Sequence, residues 1–258
     1  MHPEILGLIK SYGLMLALSF ALGLLLSIRR GRPYGLSADT IMDLVFGVLV
    51  SSIVGVRLFF VLTHLSEFSG EGDPWYHAFF IWDGGLTLYG GILLAMATVW
   101  IMARRRGIPF LVIADIFSPG VILGIGITRI GCFLGGCCFG KPTGYACGVH
   151  FPLGSPPVDT FGPLAVYPTQ LFSSGGGFLI FGLLLLAERW HQRRGATFAL
   201  FMILYGVQRF TVDFFRYYTS DQMISGLTNN QWISVGLVVA GLLVLVLTPR
   251  TGKSDHVG

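Results

Sequence analysis

The sequence predicts an all-α integral membrane protein, a single bundle of about seven transmembrane helices in which residues 1–258 form one membrane domain. Hydrophobic residues make up 53% of the chain and charged residues only 12%, whereas a typical soluble domain has roughly 25% charged residues. The apolar residues occur in runs of about 20, the length at which a helix crosses the hydrocarbon core of a bilayer. Basic residues follow alternate runs, which is typical of a chain that crosses the membrane repeatedly.

The apolar runs predict seven spans in chain order, at about residues 12–28, 42–63, 84–103, 109–134, 166–187, 196–215 and 231–248. The first run carries its arginines after the apolar stretch, at Arg29 and Arg30. A secretory signal peptide has the opposite order, so the first run is expected to remain as an anchor. The third run begins in a glycine-rich stretch, Gly84–Gly91, where small residues let helices pack closely.

The basic clusters predict the orientation of the bundle. Eleven of the 17 lysines and arginines lie after the first, third, fifth and seventh runs. They are Arg29, Arg30, Arg32, Arg104, Arg105, Arg106, Arg189, Arg193, Arg194, Arg250 and Lys253. By the positive-inside rule, the N-terminus is expected outside and the C-terminus in the cytoplasm. The surplus of positive charge therefore indicates anionic membrane lipids as partners, and not nucleic acid.

The longest loops are expected on the outer side, at about 64–83, 136–165 and 216–230. Chemistry should therefore face the outer leaflet. Five charged residues remain at membrane depth, where each costs on the order of a few kcal/mol against lipid and so needs a partner inside the bundle. They are Arg57, Asp115, Arg129, Arg209 and Asp213.

These buried charges have two interpretations. They could be ion pairs that lock the bundle together, or they could line a pocket for an anionic headgroup. Three arginines against two acids leave an excess of positive charge, which favours the pocket. Because arginine binds phosphate through a bidentate fork, the sequence predicts that this pocket holds a phosphate.

The sixth span places polar residues on one helical face. Tyr205, Arg209, Asp213 and Arg216 stand at i, i+4, i+8 and i+11. Asp213 is expected to orient either arginine and to offset its charge.

A cysteine-rich loop follows the fourth span. Its candidate ligands are Cys132, Cys137, Cys138, Cys147 and His150. Three interpretations stay open: a zinc site, although the spacing matches no usual ligand pattern; a disulfide from Cys147 to Cys137 or Cys138 in an oxidising compartment; or small buried thiols packed near the glycines.

Short motifs follow one another along nearly the whole chain. They are Ser11-Tyr-Gly-Leu-Met15, Gly55-Val-Arg57, Gly84-Gly-Leu-Thr-Leu-Tyr-Gly-Gly91, Gly126-Ile-Thr-Arg-Ile-Gly-Cys-Phe133, Tyr167-Pro-Thr-Gln-Leu171 and the stripe from Tyr205 to Arg216. In this order and at this spacing they resemble the motifs of the prolipoprotein diacylglyceryl transferases, bacterial inner-membrane enzymes.

The resemblance implies transfer of a diacylglyceryl group from phosphatidylglycerol to the lipobox cysteine thiol of a prolipoprotein. A thioether forms and glycerol 1-phosphate leaves, with no cofactor and no metal. Two alternatives from other classes are a phospholipid-binding membrane paralogue without this catalysis and a thiol-redox membrane protein.

The resemblance also assigns site residues. Arg129 and Arg209 would hold the phosphate and stabilise the leaving group, and Tyr89 would act with them as a catalytic residue. The implied substrate-binding residues are Tyr12, Arg57, Gly131, Cys132, Cys137, Gly140, Gln170, Tyr205, Asp213 and Arg216.

Three of these positions depart from the family pattern. Tyr89 stands where the family has a histidine that assists deprotonation of the acceptor thiol, Cys132 replaces an asparagine, and Cys137 stands where an acid is common. A tyrosine with its usual pKa of about 10 is a poor base at neutral pH unless nearby arginines lower that pKa. Tyr89 could act as a base in a positive pocket, the thiol could react unaided, or this branch could have changed its activity.

Overall fold

A computed structural model describes residues 4–5, 9–65, 88–189, 193–219 and 223–248. These ranges are mostly helical. The helices are Ser11–Gly31 (α1), Ala38–Thr63 (α2), Leu88–Arg105 (α3), Phe110–Leu134 (α4), Pro156–Phe161 (α5), Thr169–Ala187 (α6), Ala196–Asp213 (α7) and Asn229–Leu247 (α8), with a short 3-10 turn at Arg32–Tyr34. Two antiparallel hairpins complete the described elements: Glu4–Ile5 (β1) with Ile9–Lys10 (β2), and Met223–Ile224 (β3) with Leu227–Thr228 (β4).

Five described helices are long and apolar enough to cross a membrane: α1 with its following turn, α2, α4, α6 and α8. This confirms a mostly helical membrane protein. The third and sixth predicted spans coincide with α3 and α7, each 18 residues long. They are not among these five helices; α3 ends in Arg104 and Arg105, and α7 contains Arg209 and Asp213. Residues 84–87 of the third predicted span lie outside the described residues.

The described residues divide into two compact units. Those of Met1–Arg29 and Ala114–His256 form the first unit, and those of Arg30–Ile113 form the second.

In the first unit, small residues let α4 pack closely against α1 and α6. Ser19 of α1 hydrogen bonds with Thr128 of α4 at 2.9 Å between the hydroxyl oxygens. Ser174 of α6 donates to the carbonyl oxygen of Gly126 at 2.8 Å. Such contacts form only where the backbones of two helices lie close together. In a bilayer the hydrophobic effect does not drive helices together, so this close packing is how they associate.

The apolar core of the first unit lies between α4, α6 and α7. Ile122, Ile180 and Leu184 are buried at its centre, and side chains of α7, including Leu204 and Tyr205, pack around them. This packing fixes the direction of α7, which carries the charged stripe.

Asp115 fixes the start of α7. Its carboxylate accepts hydrogen bonds from the backbone N–H groups of Gly195 at 2.5 Å and Phe198 at 2.8 Å. Gly195 is the N-cap of α7, so Asp115 satisfies backbone donors that the helix leaves free and complements its positive end. The prediction that Asp115 faces the interior is confirmed, and its hydrogen-bond partners include a helix terminus.

In the second unit, α2 and α3 meet at two glycines. A Cβ on Gly55 would lie 2.4 Å from the carbonyl oxygen of Gly90, so only glycine fits here. Two residues further along α2, Arg57 is buried, with its guanidinium carbon 5.6 Å from the ring centre of Phe60.

Candidate active site

The chain folds back on itself where α4 ends. The N–H of Gly136 donates to the carbonyl oxygen of Phe133 at 3.2 Å, and the N–H of Cys137 donates to that of Cys132 at 3.1 Å. Gly136 has a φ of 72°, a left-handed conformation that glycine adopts without strain. This pair of bonds is a Schellman motif, which places the residue after the glycine against the last turn of the helix. The turn therefore places Cys137 beside Cys132.

Three cysteines gather at this turn. The sulfur atoms of Cys132, Cys137 and Cys138 all lie within 4.8 Å of one another. Cys132 is buried, Cys138 is half-buried and Cys137 is exposed. Cys138 has a φ of 64°, an uncommon conformation for a residue with a side chain. We refer to these three residues as the cysteine cluster.

Cys147 and His150, the other predicted ligands, are not in this cluster. Cys147 is an exposed free thiol, so no disulfide joins it to Cys137 or Cys138. The Nδ1 of His150 lies 3.1 Å from the carbonyl oxygen of Pro163. The cysteine-rich loop therefore separates into a group of three thiols and one isolated thiol.

The start of α6 holds the cysteine cluster in place. The hydroxyl of Thr169 donates to the carbonyl oxygen of Cys138 at 2.8 Å, and the side-chain amide of Gln170 donates to that of Cys137 at 2.7 Å. Both side chains are about 1% exposed. Among the described residues, the amide oxygen of Gln170 has no hydrogen-bond partner although it is buried. An unpaired buried acceptor is costly unless a bound group satisfies it.

Gly140 links this loop to the chain that follows α7. Its N–H donates to the carbonyl oxygen of Tyr167 at 3.0 Å, and it forms an antiparallel bridge with Arg216. A Cβ on Gly140 would lie 2.6 Å from the carbonyl oxygen of Phe215. The predicted close approach at Gly140 is thus a steric requirement for glycine.

The same bridge corrects the predicted stripe. Helix α7 ends at Asp213, so Arg216 does not continue the helical face of Tyr205, Arg209 and Asp213. The main chain turns after Asp213 and pairs with Gly140, which holds the half-buried Arg216 beside the cysteine-rich loop.

Arg209 and Asp213 form a buried ion pair. The Nη1 of Arg209 lies 2.8 Å from Oδ1 of Asp213, and the two side chains are 12% and 0% exposed. This contact has the distance of an ion pair but not the angle of a hydrogen bond, since Nη1 makes no hydrogen bond with any described residue. The Nη2 of Arg209 donates to the hydroxyl of Tyr218 at 3.1 Å.

Tyr218, Thr228 and Asn230 complete the surroundings of the pair. Tyr218 donates to Oδ1 of Asp213 at 2.8 Å, and Thr228 donates to Oδ2 at 2.5 Å. Asn230 donates to the Tyr218 hydroxyl at 2.9 Å. Burial raises the pKa of the Tyr218 hydroxyl, although the positive charges of Arg209 and Arg216 act to lower it. The hydroxyl therefore stays protonated and donates a hydrogen bond to Asp213.

Sequence reasoning missed these three residues. Thr228 is the N-cap of α8 and forms a capping box with Gln231, a pattern readable as Thr-x-x-Gln before an apolar run. For Tyr218 and Asn230 no local signal exists, because their role depends on contacts across the loop between α7 and α8.

Arg129 of α4 lies near the cysteine cluster and near Tyr205 of α7. It is half-buried, within hydrogen-bonding range of Cys138, and close enough to Cys132 and Tyr205 for their charges to interact. Among the described residues, Arg129 forms no ion pair with a carboxylate. No carboxylate among the described residues therefore offsets its charge.

Helix α1 packs closely against α4 at Gly131, near Arg129. A Cβ on Gly131 would lie 3.2 Å from the Cα of Tyr12 and 3.0 Å from the Cβ of Met15. Tyr12 is thereby placed near Arg129 and Cys132.

The electrostatics of the cysteine cluster favour one thiolate. Hydrogen bonds from Cys132 and Cys137 lower the pKa of Cys138, and the positive charges of Arg216 and Arg129 act in the same direction. Hydrogen bonding with Cys132 and Cys138 raises the pKa of Cys137. Negative charge at this turn therefore concentrates on Cys138, beside the arginines.

The first unit thus contains every predicted site residue except Arg57 and Tyr89. Both of these belong to the second unit, and the side chain of Tyr89 lies outside the described residues. Their place in the site stays a prediction.

Comparison with known proteins supports a relationship over the whole length. Residues 4–247 match the family described as prolipoprotein diacylglyceryl transferase. A Clostridium perfringens protein named phosphatidylglycerol–prolipoprotein diacylglyceryl transferase 2 is 29% identical over 255 residues, covering 98% of this chain and 96% of the relative. A Cutibacterium acnes protein named phosphatidylglycerol–prolipoprotein diacylglyceryl transferase is 31% identical, covering 88% of this chain and 77% of the relative. A protein of that name from Pseudoalteromonas atlantica is 32% identical, covering 97% and 89%.

The matched residues, 4–247, include all the described helices, Arg129, Arg209 and the turn at Gly136. The chain is therefore a transferase that belongs to the prolipoprotein diacylglyceryl transferase family.

Proposed function

We propose that this protein transfers a diacylglyceryl group from phosphatidylglycerol to the lipobox cysteine of a prolipoprotein, forming a thioether and releasing glycerol 1-phosphate. The names of the relatives support the two substrates. The observation that carries the proposal is the surplus of positive charge in the first unit. Among the described residues near the end of α7, Arg129, Arg209 and Arg216 accompany one buried carboxylate, Asp213. The other buried carboxylate of this unit, Asp115, lies at the start of α7.

A phosphodiester explains this surplus. Asp213 pairs with Arg209, whereas Arg129 pairs with no described carboxylate. The Nη1 of Arg209 is buried against Asp213 and makes no hydrogen bond with the described residues. Phosphate oxygens match arginine donors in charge and geometry.

The reaction places new charge where the arginines lie. The acceptor sulfur attacks the glyceryl carbon that carries the phosphate, a C–S bond forms, and the C–O bond breaks with its electrons remaining on the phosphate oxygen. Arg129 and Arg209 stabilise this leaving oxygen, with Asp213 and Tyr218 holding Arg209 in position. Donors fixed before the reaction are a large catalytic contribution, because they need no reorganisation as charge develops.

The remaining residues bind the rest of the two substrates. The unsatisfied amide oxygen of Gln170 suits a donor such as a glycerol hydroxyl or a peptide N–H. Tyr12 and Tyr205 contact the substrates in this proposal, while Gly131 and Gly140 keep the backbones close. Arg57 is proposed as a further substrate-binding residue on the resemblance alone.

Tyr89 is assigned to the acceptor step. It occupies the position of the family's histidine, and with a usual pKa of about 10 its hydroxyl is mainly a hydrogen-bond donor at neutral pH. A group other than Tyr89 must then promote the loss of the proton from the acceptor thiol.

We further propose seven spans, with the N-terminus outside and the site open toward the outer leaflet of the bacterial inner membrane. The basic clusters after alternate spans support this orientation. The acceptor meets the enzyme as a secreted preprotein, which matches an outward-facing site.

The experiment is a transfer assay with purified protein, phosphatidylglycerol and a lipobox peptide, read as the mass of the peptide. Arg129→Ala and Arg209→Ala should each reduce turnover by about 100-fold or more, as expected when a charge-stabilising donor is removed. Arg106→Ala is the matched control, since Arg106 pairs with Asp43 in an exposed contact.

The outcomes separate the two functional classes. Full turnover in both arginine variants would contradict the phosphate pocket. Phosphatidylglycerol binding without any product in the wild type would favour the non-catalytic lipid-binding paralogue.

A further inference from the structure

The cysteine cluster is not used by the donor half of the reaction. Its geometry is set by the main chain: the Schellman turn returns Cys137 to Cys132, and Thr169 and Gln170 hold the two following carbonyl groups. The main chain of this turn and the side chains of Thr169 and Gln170 thus bring the three sulfur atoms together.

The backbone at Cys138 has a specific consequence. In an extended chain, neighbouring side chains point to opposite sides, which would separate the thiols of Cys137 and Cys138. The left-handed conformation at Cys138, with φ 64°, accompanies sulfur atoms that share one side. Such conformations are strained and cluster at functional sites.

Three thiols at this separation suit a zinc ion. Zinc binds thiolate sulfur at about 2.3 Å in a tetrahedron, which places the sulfurs about 3.8 Å apart. The three sulfurs lie within 4.8 Å of one another, so small side-chain rotations complete the geometry. Among the described residues, Cys147 and His150 contribute no fourth ligand to this group.

We propose that Cys132, Cys137 and Cys138 bind one Zn²⁺ as three thiolates, and that the open fourth position binds and deprotonates the thiol of the lipobox cysteine. The acceptor role rests on the proposed function. Three protein ligands with one open position are the arrangement of catalytic zinc, whereas structural zinc has four protein ligands. A thiol coordinated to zinc is deprotonated outright.

The charges around the cluster support this assignment. Three thiolates and one Zn²⁺ carry one negative charge, and a bound acceptor thiolate adds another. Arg216 and Arg129 are the cations that interact with Cys138. Arg216, which the leaving phosphate does not use, offsets part of this charge. Cys137 is exposed, which leaves a side of the cluster open to a peptide.

The step balances without any oxidant or reductant. The acceptor thiol releases its proton to solvent when its sulfur binds zinc. That sulfur then attacks the glyceryl carbon, the C–O bond breaks, and both electrons of the bond leave with glycerol 1-phosphate. The product sulfur is a neutral thioether, a weak zinc ligand, so the lipidated peptide dissociates and the fourth position reopens.

The first measurement is the metal content of the purified full-length protein. We expect one zinc per chain in the wild type and in Cys147→Ser, the matched control, and loss of zinc in Cys132→Ser and Cys138→Ser. The thermal unfolding midpoint of each variant separates lost ligation from lost folding.

The second measurement replaces zinc by Co²⁺ and follows the thiolate-to-cobalt absorption. Adding a lipobox peptide should increase this absorption by about one third, as a fourth thiolate joins three. A peptide with serine in place of the acceptor cysteine should leave it unchanged.

The results that overturn the zinc proposal differ from those that overturn the proposed function. No zinc in the wild type, zinc retained in every cysteine variant, a disulfide within the cluster of the unreduced protein, or full transfer after chelation each contradicts the zinc site. Zinc bound by the three cysteines with no diacylglyceryl product contradicts the proposed transfer reaction instead.

Discussion

At the scale of single residues, Asp213 organises the positive side of the site. Its carboxylate accepts hydrogen bonds from Tyr218 and Thr228 and lies against Arg209. A buried carboxylate needs such partners because burial removes its hydration. With both oxygens occupied, Asp213 fixes Arg209 but does not neutralise Arg129.

Replacing Asp213 by asparagine tests this role. Asp213→Asn keeps the shape but leaves Arg209 buried without its counter-charge, and breaking a buried pair in this way costs about 3 kcal/mol or more. We expect a lower thermal unfolding midpoint and a loss of transfer of at least about tenfold. Asp43→Asn, which removes the exposed partner of Arg106, should change neither; equal behaviour of the two variants would contradict the role of Asp213.

Tyr218 gives a prediction with a pH dependence. Tyr218→Phe removes the donor to Asp213 and one partner of Arg209, which costs about 1–2 kcal/mol of folding stability. Because the pKa of Tyr218 is raised on folding, its protonated hydroxyl contributes stability below the ordinary pKa of about 10, and this contribution is lost as pH rises through the higher folded value.

The stability difference between wild type and Tyr218→Phe should therefore be constant from pH 7 to about 9 and shrink at more alkaline pH. Chemical denaturation across this range measures it. A difference that grows as pH rises would show that the ionised tyrosine, and not the hydroxyl, is the stabilising form.

At the scale of elements, the site depends on the loop that follows α4. This loop contacts the chain just before α6 and the chain just after α7. Gly140 is the point at which this loop meets both chains. Its N–H donates to Tyr167, and it pairs with Arg216 in a short bridge. The bridge sets the position of Arg216 relative to the cysteine cluster.

Gly140→Ala should open this junction. The added Cβ would lie 2.6 Å from both the carbonyl oxygen of Phe215 and the Cβ of Tyr167, and relieving such an overlap costs about 1–3 kcal/mol. We expect reduced transfer together with a lower unfolding midpoint.

Gly144→Ala is the matched control in the same loop, because among the described residues no atom lies within 4 Å of a Cβ at this position. Transfer by Gly140→Ala at the level of Gly144→Ala would mean that the junction does not position the site.

At the scale of the whole molecule, the sequence predicts the helices better than the site. Hydropathy locates the spans because lipid imposes one length and one composition on them. The arginines at membrane depth are also evident from the sequence, because a charge inside a membrane helix is costly unless it has a partner.

The parts that local patterns do not predict are those made by contacts between distant residues. Arg216 leaves the helical face because α7 ends at Asp213 and the chain then pairs with Gly140. Tyr218 acquires its role only where the chain after α7 meets the start of α8. The cysteine cluster excludes Cys147 because a Schellman turn, and not the spacing of the cysteines, selects its members.

The predicted orientation in the membrane is a property of the whole molecule. The exposed thiol of Cys147 can be labelled to test it. A membrane-impermeant maleimide added to intact spheroplasts should label the wild type more than Cys147→Ser. A cysteine placed in that variant at the exposed end of α3, Arg105→Cys, should add label only after the membrane is permeabilised. The reverse pattern would invert the proposed topology.

The most direct test of the proposed reaction is to identify both products of one incubation. Purified wild-type protein with phosphatidylglycerol and a lipobox peptide should yield a peptide with a diacylglyceryl group on its cysteine sulfur and an equal amount of glycerol 1-phosphate. A peptide that carries only an acyl group, or one that remains unmodified while the lipid is bound, would contradict the proposed transfer.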